Sequence, residues 1–190
     1  MKTKREAGFV VLLLVATLFA QKARAIPAGG VLDASHSETF IIEDGFATVE
    51  SKVYSYTPGE YVYTYQISND SAVGLSFFSV GIEDGANAFD PQHDPGTGVA
   101  PANWDTVGSP VQSVGALFTS PIYNGFSSEV LWFASNYASA LGEGALFGTS
   151  SGVPKFATGD VFTPLPEPAT IFVLGLGGAL VALTRKRPFA

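Results

Sequence analysis

The chain contains no cysteine, and this absence excludes several chemistries at once. Its 190 residues offer no thiol for nucleophilic catalysis, no thiolate ligand for a zinc site and no disulfide. Exported domains often rely on disulfides for stability. A domain of this composition must instead be stabilised by the burial of apolar side chains.

Lysine and arginine are scarce in the middle of the chain. Between residues 26 and 168 only Lys52 and Lys155 are basic, against sixteen acidic residues, which gives a net charge of −14. The whole-chain value of −7 hides this imbalance because the other basic residues lie near the two ends. A nucleic-acid partner is excluded, since phosphate binding needs a basic surface. An acidic surface favours solubility and mutual repulsion outside the cell.

The N-terminus has the three parts of a secretory signal peptide. Basic residues occur in the first six positions, an uncharged apolar stretch follows at 8–20, and Ala23 and Ala25 place small residues where signal peptidase requires them. The apolar stretch is shorter than the roughly 20 residues that span a bilayer as a helix. The pattern predicts a signal peptide over 1–25, cleaved after Ala25, so that the mature chain begins at Ile26.

The C-terminus carries a second uncharged apolar run, at 169–184. As a helix it would be about 24 Å long, somewhat short of the roughly 30 Å hydrocarbon core, although local thinning of the bilayer can accommodate it. Three cations follow it, Arg185, Lys186 and Arg187. The positive-inside rule places this basic end in the cytoplasm and the body of the chain outside. Length and charge alone leave open whether the run is a lasting anchor or a removable label.

The triplet Pro166-Glu167-Pro168, the apolar run and the terminal basic cluster together resemble a PEP-CTERM sorting signal, here assigned to 164–190. The resemblance implies that an exosortase, a membrane-embedded protease of exporting bacteria, processes the tail near Glu167. It also implies a precursor anchored in the inner membrane and a final location at the cell surface or in the extracellular matrix, with exopolysaccharide as a candidate partner. An ordinary C-terminal anchor is the alternative. The two prolines hold the chain extended, as a processing site requires.

The body, 26–163, has the patterning of an all-β domain. Alternation in 46–56 and 61–68 around Thr57-Pro58-Gly59-Glu60 predicts a hairpin with a type II turn, and a third strand is expected at 73–82. Short strands with frequent Gly, Pro and Asn breaks predict an antiparallel β-sandwich, of jelly-roll or Ig-like type. At most one helical turn is expected at 138–142, and the longest irregular region at 83–110. Further strands are expected at 39–42, 111–118, 129–134, 145–147, 153–156 and 161–162.

The acidic part of the 83–110 region is the candidate ligand site. Carboxylate and amide oxygens are ligands that calcium prefers, although their order here does not match an EF-hand loop. A solvated loop without a ligand is the alternative, and His93 could join a metal site or simply be exposed. No cofactor is otherwise predicted. The five candidate ligands are Glu83, Asp84, Asn87, Asp90 and Asp94.

Aromatic residues offer a second kind of candidate. Trp104, between Pro101 and Asp105, is the better candidate for an exposed aromatic residue, which could contact a glycan. Three tyrosines share one strand face, and that face, like Trp132, is expected to belong to the core. The three are Tyr61, Tyr63 and Tyr65.

One stretch, Gly148-Thr-Ser-Ser-Gly152, matches the nucleophile-elbow pattern of hydrolases with Ser150 as nucleophile. That motif needs a later histidine and a following helix, and no histidine follows His93. A turn is therefore the preferred interpretation. The sequence predicts an exported, non-enzymatic surface or matrix protein. A glycan- or calcium-binding module and an exported hydrolase remain as alternatives.

Overall fold

The structure, a computed structural model, describes residues 24–42, 45–57 and 59–166. These residues form strands and connections without a helix, and the stretch 138–142, where at most one helical turn was expected, runs into a strand instead. The predicted signal-peptide core and the C-terminal run at 169–184 lie outside the described residues. The strands are β1 Val31–Ile42, β2 Gly45–Thr57, β3 Glu60–Asn69, β4 Gly74–Gly81, β5 Phe89–Asp94, β6 Asn103–Val107, β7 Ser113–Ile122, β8 Phe126–Ser127, β9 Val130–Ser135, β10 Ser139–Ser150 and β11 Val153–Pro164.

The strands form two antiparallel sheets. Sheet A has the order β1-β2-β3-β9-β5, with β8 pairing to one end of β3, and sheet B has the order β11-β10-β4-β7-β6. At one side of the molecule β1 lies beside β11, and at the other side β5 lies beside β6. The two sheets thus lie face to face with their edge strands meeting, which confirms the predicted all-β, sandwich-like architecture.

The predicted hairpin is confirmed as β2 and β3. The two strands are paired from Ala47↔Asn69 to Thr57↔Glu60, with one register shift near Ser55. Gly59 has φ +87°, the left-handed conformation that position three of a type II turn requires. The strand expected at 73–82 is confirmed as β4. Alternation alone was sufficient here because each strand has one fully buried face.

The core lies between the inner faces of the two sheets. Tyr63 and Tyr65 from β3 are buried, and the Tyr65 ring contacts Phe78 of β4 at 5.6 Å between ring centroids. Their hydroxyls do not stay unpaired, because Tyr63 donates to the carbonyl of Tyr137 at 2.8 Å and Tyr65 to the carbonyl of Phe162 at 2.6 Å. The tyrosine face is therefore core, as expected.

Two expectations about loops are wrong. The 83–110 region contains β5 and β6, which are edge strands of opposite sheets. Alternation is hidden in β5 because its pairing with β9 shifts register between Phe89 and Gln92, where Asp90 has φ +51°. The two weak strands at 153–156 and 161–162 are one continuous strand, β11, paired with β10 through twelve successive positions.

Within the part of the chain that the structure describes, no helix has the length and hydropathy needed to cross a bilayer.

Candidate functional site

The five predicted calcium ligands do not converge on one point. Among the described residues no group of three or more His, Cys, Asp or Glu side chains is arranged to hold a metal ion. Glu83 and Asp84 line a shallow cleft with Glu143 at one end of sheet B, whereas Asn87 is used locally. Its side-chain oxygen accepts hydrogen bonds from the Ser135 hydroxyl and the Asn136 amide at 3.1 and 3.0 Å.

The other two predicted ligands lie along the edge strand of sheet A. Asp90 is in the bulge of β5, where its Oδ1 accepts a hydrogen bond from the Gln92 side chain at 2.9 Å. Asp94 ends β5, and its backbone carbonyl accepts a hydrogen bond from Thr97 at 3.0 Å. The two residues take part in separate local contacts, and the candidate ligands do not converge on one calcium site.

His93 has a structural partner. Its Nδ1 lies 2.5 Å from Oε2 of Glu129, and both side chains are nearly buried. The other Glu129 oxygen accepts the Gly96 amide at 2.8 Å. The pair therefore fastens the 94–99 loop to the start of β9, since a buried carboxylate needs such partners. Sequence spacing could not reveal this pair because the two residues are far apart along the chain.

Trp104 is not exposed, and that prediction is wrong. Only 2% of its surface is accessible, and its ring packs near Tyr65, Phe78 and Phe133. The indole N–H donates across the sandwich to the carbonyl of Trp132 at 2.9 Å. The physical reason is that β6 alternates, with Trp104 facing inward between the exposed Asn103 and Asp105. A ring in this position cannot stack on a surface glycan.

The Gly148–Gly152 stretch is a turn, as preferred. Ser150 ends β10, and Ser151 and Gly152 have φ +49° and +78° in the two-residue connection to β11. Positive φ at both central positions is typical of a type I′ hairpin turn. A strand follows rather than a helix, and no described histidine or carboxylate hydrogen-bonds to the Ser150 hydroxyl. The local geometry is not that of a nucleophile elbow.

The outer face of sheet B carries a feature that was not predicted. Four large apolar side chains lie directly opposite one another across four neighbouring strands, as the pairs Phe156↔Phe147, Phe147↔Phe77 and Phe77↔Leu117 show. We name these four residues the apolar row. Phe156 is 65% exposed and Leu117 is 48% exposed, while the two central rings are half-buried. Three strand spacings of about 4.8 Å make the row about 14 Å long.

A glycine helps the row to lie flat. Gly115 is beside Phe77, and a Cβ built on Gly115 would lie 3.2 Å from Cζ of that ring. Without a side chain at Gly115 the Phe77 ring can lie against the sheet instead of standing away from it. Tyr123, 60% exposed, lies near the same face beside Gly74. The result is a low, broad aromatic surface rather than a set of separate protruding side chains.

The apolar row is electrically neutral in an acidic body. On one side of it the paired residues are Pro154, Thr149 and Gly74, and on the other they are Thr158, Ala145, Ser79 and Gly115, with a single carboxylate, Asp105, at the end. A contiguous exposed apolar patch on a soluble domain marks an interaction site more often than a scattered apolar residue does.

The apolar residues of the row can be recognised in the sequence, but their exposure cannot be predicted from it. Apolar residues occur at adjacent positions in each strand, as in Phe77-Phe78, Leu146-Phe147 and Leu117-Phe118. Such runs indicate strands with two apolar faces, and they are equally typical of strands covered on both sides. Only the structure shows that no described segment covers the second face of sheet B at Phe156 and Leu117.

No family model, no curated protein and no solved structure matches this chain.

Proposed function

We propose that this chain is an exported, non-enzymatic protein of the cell surface or extracellular matrix, and that it binds a neutral polysaccharide through the apolar row. The observation that supports this is the alignment of Phe156, Phe147, Phe77 and Leu117 in direct register on an open sheet face. Calcium binding and hydrolysis have no comparable support, since neither the five candidate ligands nor Ser150 lies in a site-like geometry.

The chemistry of sugars matches this surface. One face of a sugar ring presents C–H groups, which pack on aromatic rings much as other apolar groups do. A row about 14 Å long offers several neighbouring positions to the successive rings of one chain. Tyr123 at one side brings a hydroxyl that can hydrogen-bond to sugar hydroxyls. Binding of this kind is shallow, so it depends on several sugar rings at once.

Charge favours a neutral polysaccharide over an acidic one. Residues 26–168 carry a net charge of −14, and an acidic glycan brought to any face of the domain would meet repulsion. The row and the residues beside it are uncharged except for Asp105. A neutral chain therefore loses nothing electrostatically on binding, whereas a polyanion would need added salt or divalent cations.

Export and delivery in this proposal rest on the two ends of the chain. The predicted signal peptide ends at Ala25, and the sorting motif Pro166-Glu167-Pro168 precedes the predicted membrane segment at 169–184. Signal peptidase and an exosortase-type enzyme are the proposed processing partners. Whether the sandwich is jelly-roll or Ig-like does not alter the proposal, because the row depends only on the register of four strands.

Affinity electrophoresis through gels that contain neutral polysaccharides tests the binding. We expect retardation of the mature protein and a roughly tenfold loss of affinity in Phe156→Ala, equivalent to about 1.4 kcal/mol. The matched control is Phe46→Ala, which removes an exposed phenylalanine from sheet A. Equal retardation of both variants, or none of the parent protein, would contradict the proposal.

Intact-mass analysis of the exported protein tests the delivery. A mass that begins at Ile26 and ends near Glu167 supports removal of both ends. A product that retains residues up to Ala190 in the membrane fraction would instead indicate an ordinary C-terminal anchor.

A further inference from the structure

The outer face of sheet A is covered, and the cover is the N-terminal segment 24–30. Val62, Trp132 and Ala134 form a buried apolar cluster on this face, and Ile26 and Tyr56 pack over it. Trp132 is only 1% exposed, although it lies on the side of β9 that points away from the main core. Segment 24–30 therefore acts as a third layer over part of sheet A.

Specific polar contacts hold the start of this segment. The Arg24 amide donates to the carbonyl of His93 at 3.0 Å, and the Trp132 indole N–H donates to the carbonyl of Arg24 at 2.9 Å. Further along, the Tyr56 hydroxyl donates to the carbonyl of Pro27. The segment thus begins beside β5, crosses β9 and reaches the Tyr56 side chain of β2, with Ile26 between the two ends.

A group of oxygen acceptors lies beside Arg24. The Arg24 guanidinium is 4.0 Å from Oδ2 of Asp90, and the Gln92 side-chain nitrogen donates to the other oxygen of that carboxylate at 2.9 Å. Gln92 is 7% exposed, and its Oε1 has no hydrogen-bond partner among the described residues. A buried acceptor left without a partner is costly, so its position beside the N-terminal segment calls for a donor.

Removal of the predicted signal peptide supplies a hydrogen-bond donor near this acceptor. Hydrolysis after Ala25 breaks the peptide bond between the Ala25 carbonyl carbon and the Ile26 nitrogen. Water adds a hydroxyl to the Ala25 carbonyl, which becomes a carboxyl group, and a proton to the Ile26 nitrogen. The released Ile26 amine takes up a further proton at neutral pH. The same cut removes Arg24, which frees the carbonyl of His93 and takes the cation away from Asp90. The cleaved chain therefore gains a positively charged terminal amine with three N–H donors at Ile26, two residues along the chain from Arg24, which contacts these acceptors in the uncleaved chain.

We infer that the ammonium group of Ile26 in the mature chain is bound by a site on β5 formed by the Asp90 carboxylate, Oε1 of Gln92 and the carbonyl of His93. Gln92 lies directly opposite Trp132 in the strand pairing, on the face where Ile26 packs. Capture of an N-terminal amine by converging oxygen acceptors is a recurring mode of recognition. This inference rests on the cleavage after Ala25 in the proposed function, and it is independent of the apolar row.

The Nα-acetylated form of the mature protein tests the site, because acetylation removes the charge and two of the donors without changing a side chain. We expect the chain that begins at a free Ile26 amine to melt about 3 °C above its acetylated form. In Asp90→Asn this difference should fall to less than half. Asp160→Asn, the same change at an exposed position of sheet B, should retain the full difference.

Two outcomes would overturn the inference. One is an acetylation effect of the same size in Asp90→Asn and in the parent protein, and the other is no acetylation effect in the parent protein. If Asp90→Asn does not fold, Gln92→Leu is compared in the same way. The proteins are prepared with a defined Ile26 terminus, so the test does not depend on how the cell processes the chain. Loss of polysaccharide binding would affect the proposed function alone.

Discussion

The two outer faces of this sandwich differ in how their apolar side chains are exposed to solvent. Both carry large apolar side chains that point away from the main core: Trp132 and Val62 on sheet A, and the apolar row on sheet B. On sheet A the N-terminal segment covers them, and in the uncleaved chain the Arg24 carbonyl accepts the indole N–H of Trp132. On sheet B the outer end of the row stays largely exposed to solvent.

A covered and an exposed apolar face are expected to contribute differently to folding stability. A covered apolar face contributes to folding stability through burial, and substitution there should be costly. An open one contributes little to stability, so its retention requires another explanation, and a partner is the usual one. The same residue type should therefore behave differently on the two faces, which the following predictions exploit.

The largest contrast is expected between two truncations. Trp132→Ala should lower the free energy of unfolding by about 3–5 kcal/mol, because it removes a fully buried ring and leaves a cavity. Phe156→Ala should change it by less than about 0.5 kcal/mol. Urea unfolding followed by circular dichroism measures both. Similar losses in the two variants would show that the faces do not differ in this way.

High pH should remove the difference in stability between the two faces, because the core that lies between the sheets unfolds. Burial raises the pKa of Tyr63 and Tyr65 well above 10, and the neighbouring tyrosine raises each further. Above about pH 10 the unfolded chain loses these protons while the native state keeps them, so stability falls as pH rises, by up to about 1.4 kcal/mol per pH unit for each tyrosine.

Thermal melting from pH 8 to 12 measures this decline. Tyr65→Phe should start from a slightly lower stability, because the carbonyl of Phe162 loses its donor, and should then decline less steeply with pH. A parallel decline in the variant and the parent would mean that Tyr65 does not contribute.

Removal of the N-terminal segment should expose the outer apolar face of sheet A, as that of sheet B is exposed. A chain that begins at Gly30 lacks Ile26 and Pro27, and the loss of their burial should cost about 2 kcal/mol relative to a chain that begins at Ile26. Trp132 would become accessible while Trp104 stays buried, so acrylamide should quench part of the tryptophan fluorescence. In Trp132→Phe the same truncation should leave quenching unchanged.

The smallest expected effect is on sheet B itself. Phe156→Ser should leave the melting temperature within about 2 °C of the parent, because the ring is mostly in solvent. Binding of an apolar dye to the folded protein should decrease. Phe46→Ser on sheet A is the matched change, and an equal decrease there would show that the row is not a distinct apolar surface.

The parts of the fold that could be predicted from sequence are those with local causes. The β2–β3 hairpin follows from strict alternation and from Gly59 in its turn, both of which are visible within a dozen residues. β5 was missed because the bulge at Asp90 and the nearby prolines interrupt alternation. β6 was missed because five residues with one inward tryptophan give too short a pattern.

The two outer surfaces of the sandwich depend on contacts that no local pattern specifies. The pairing of Phe77 with Phe147 and Leu117 joins strands that are distant in the chain, and the cover over Trp132 is formed by residues that belong to the region of the predicted signal-peptide cleavage site. Trp104 illustrates the same limit. Its polar neighbours suggested exposure, whereas in a strand such neighbours simply occupy the opposite face.

The meeting of the edge strands has a consequence for self-association of the domain. β1 lies beside β11 and β5 beside β6, so each sheet ends against the border of the other. Backbone groups at an open border can recruit a strand from another molecule and seed a polymer. Here each edge strand lies against an edge strand of the other sheet, and the strongly negative domains repel one another, which favours separate molecules.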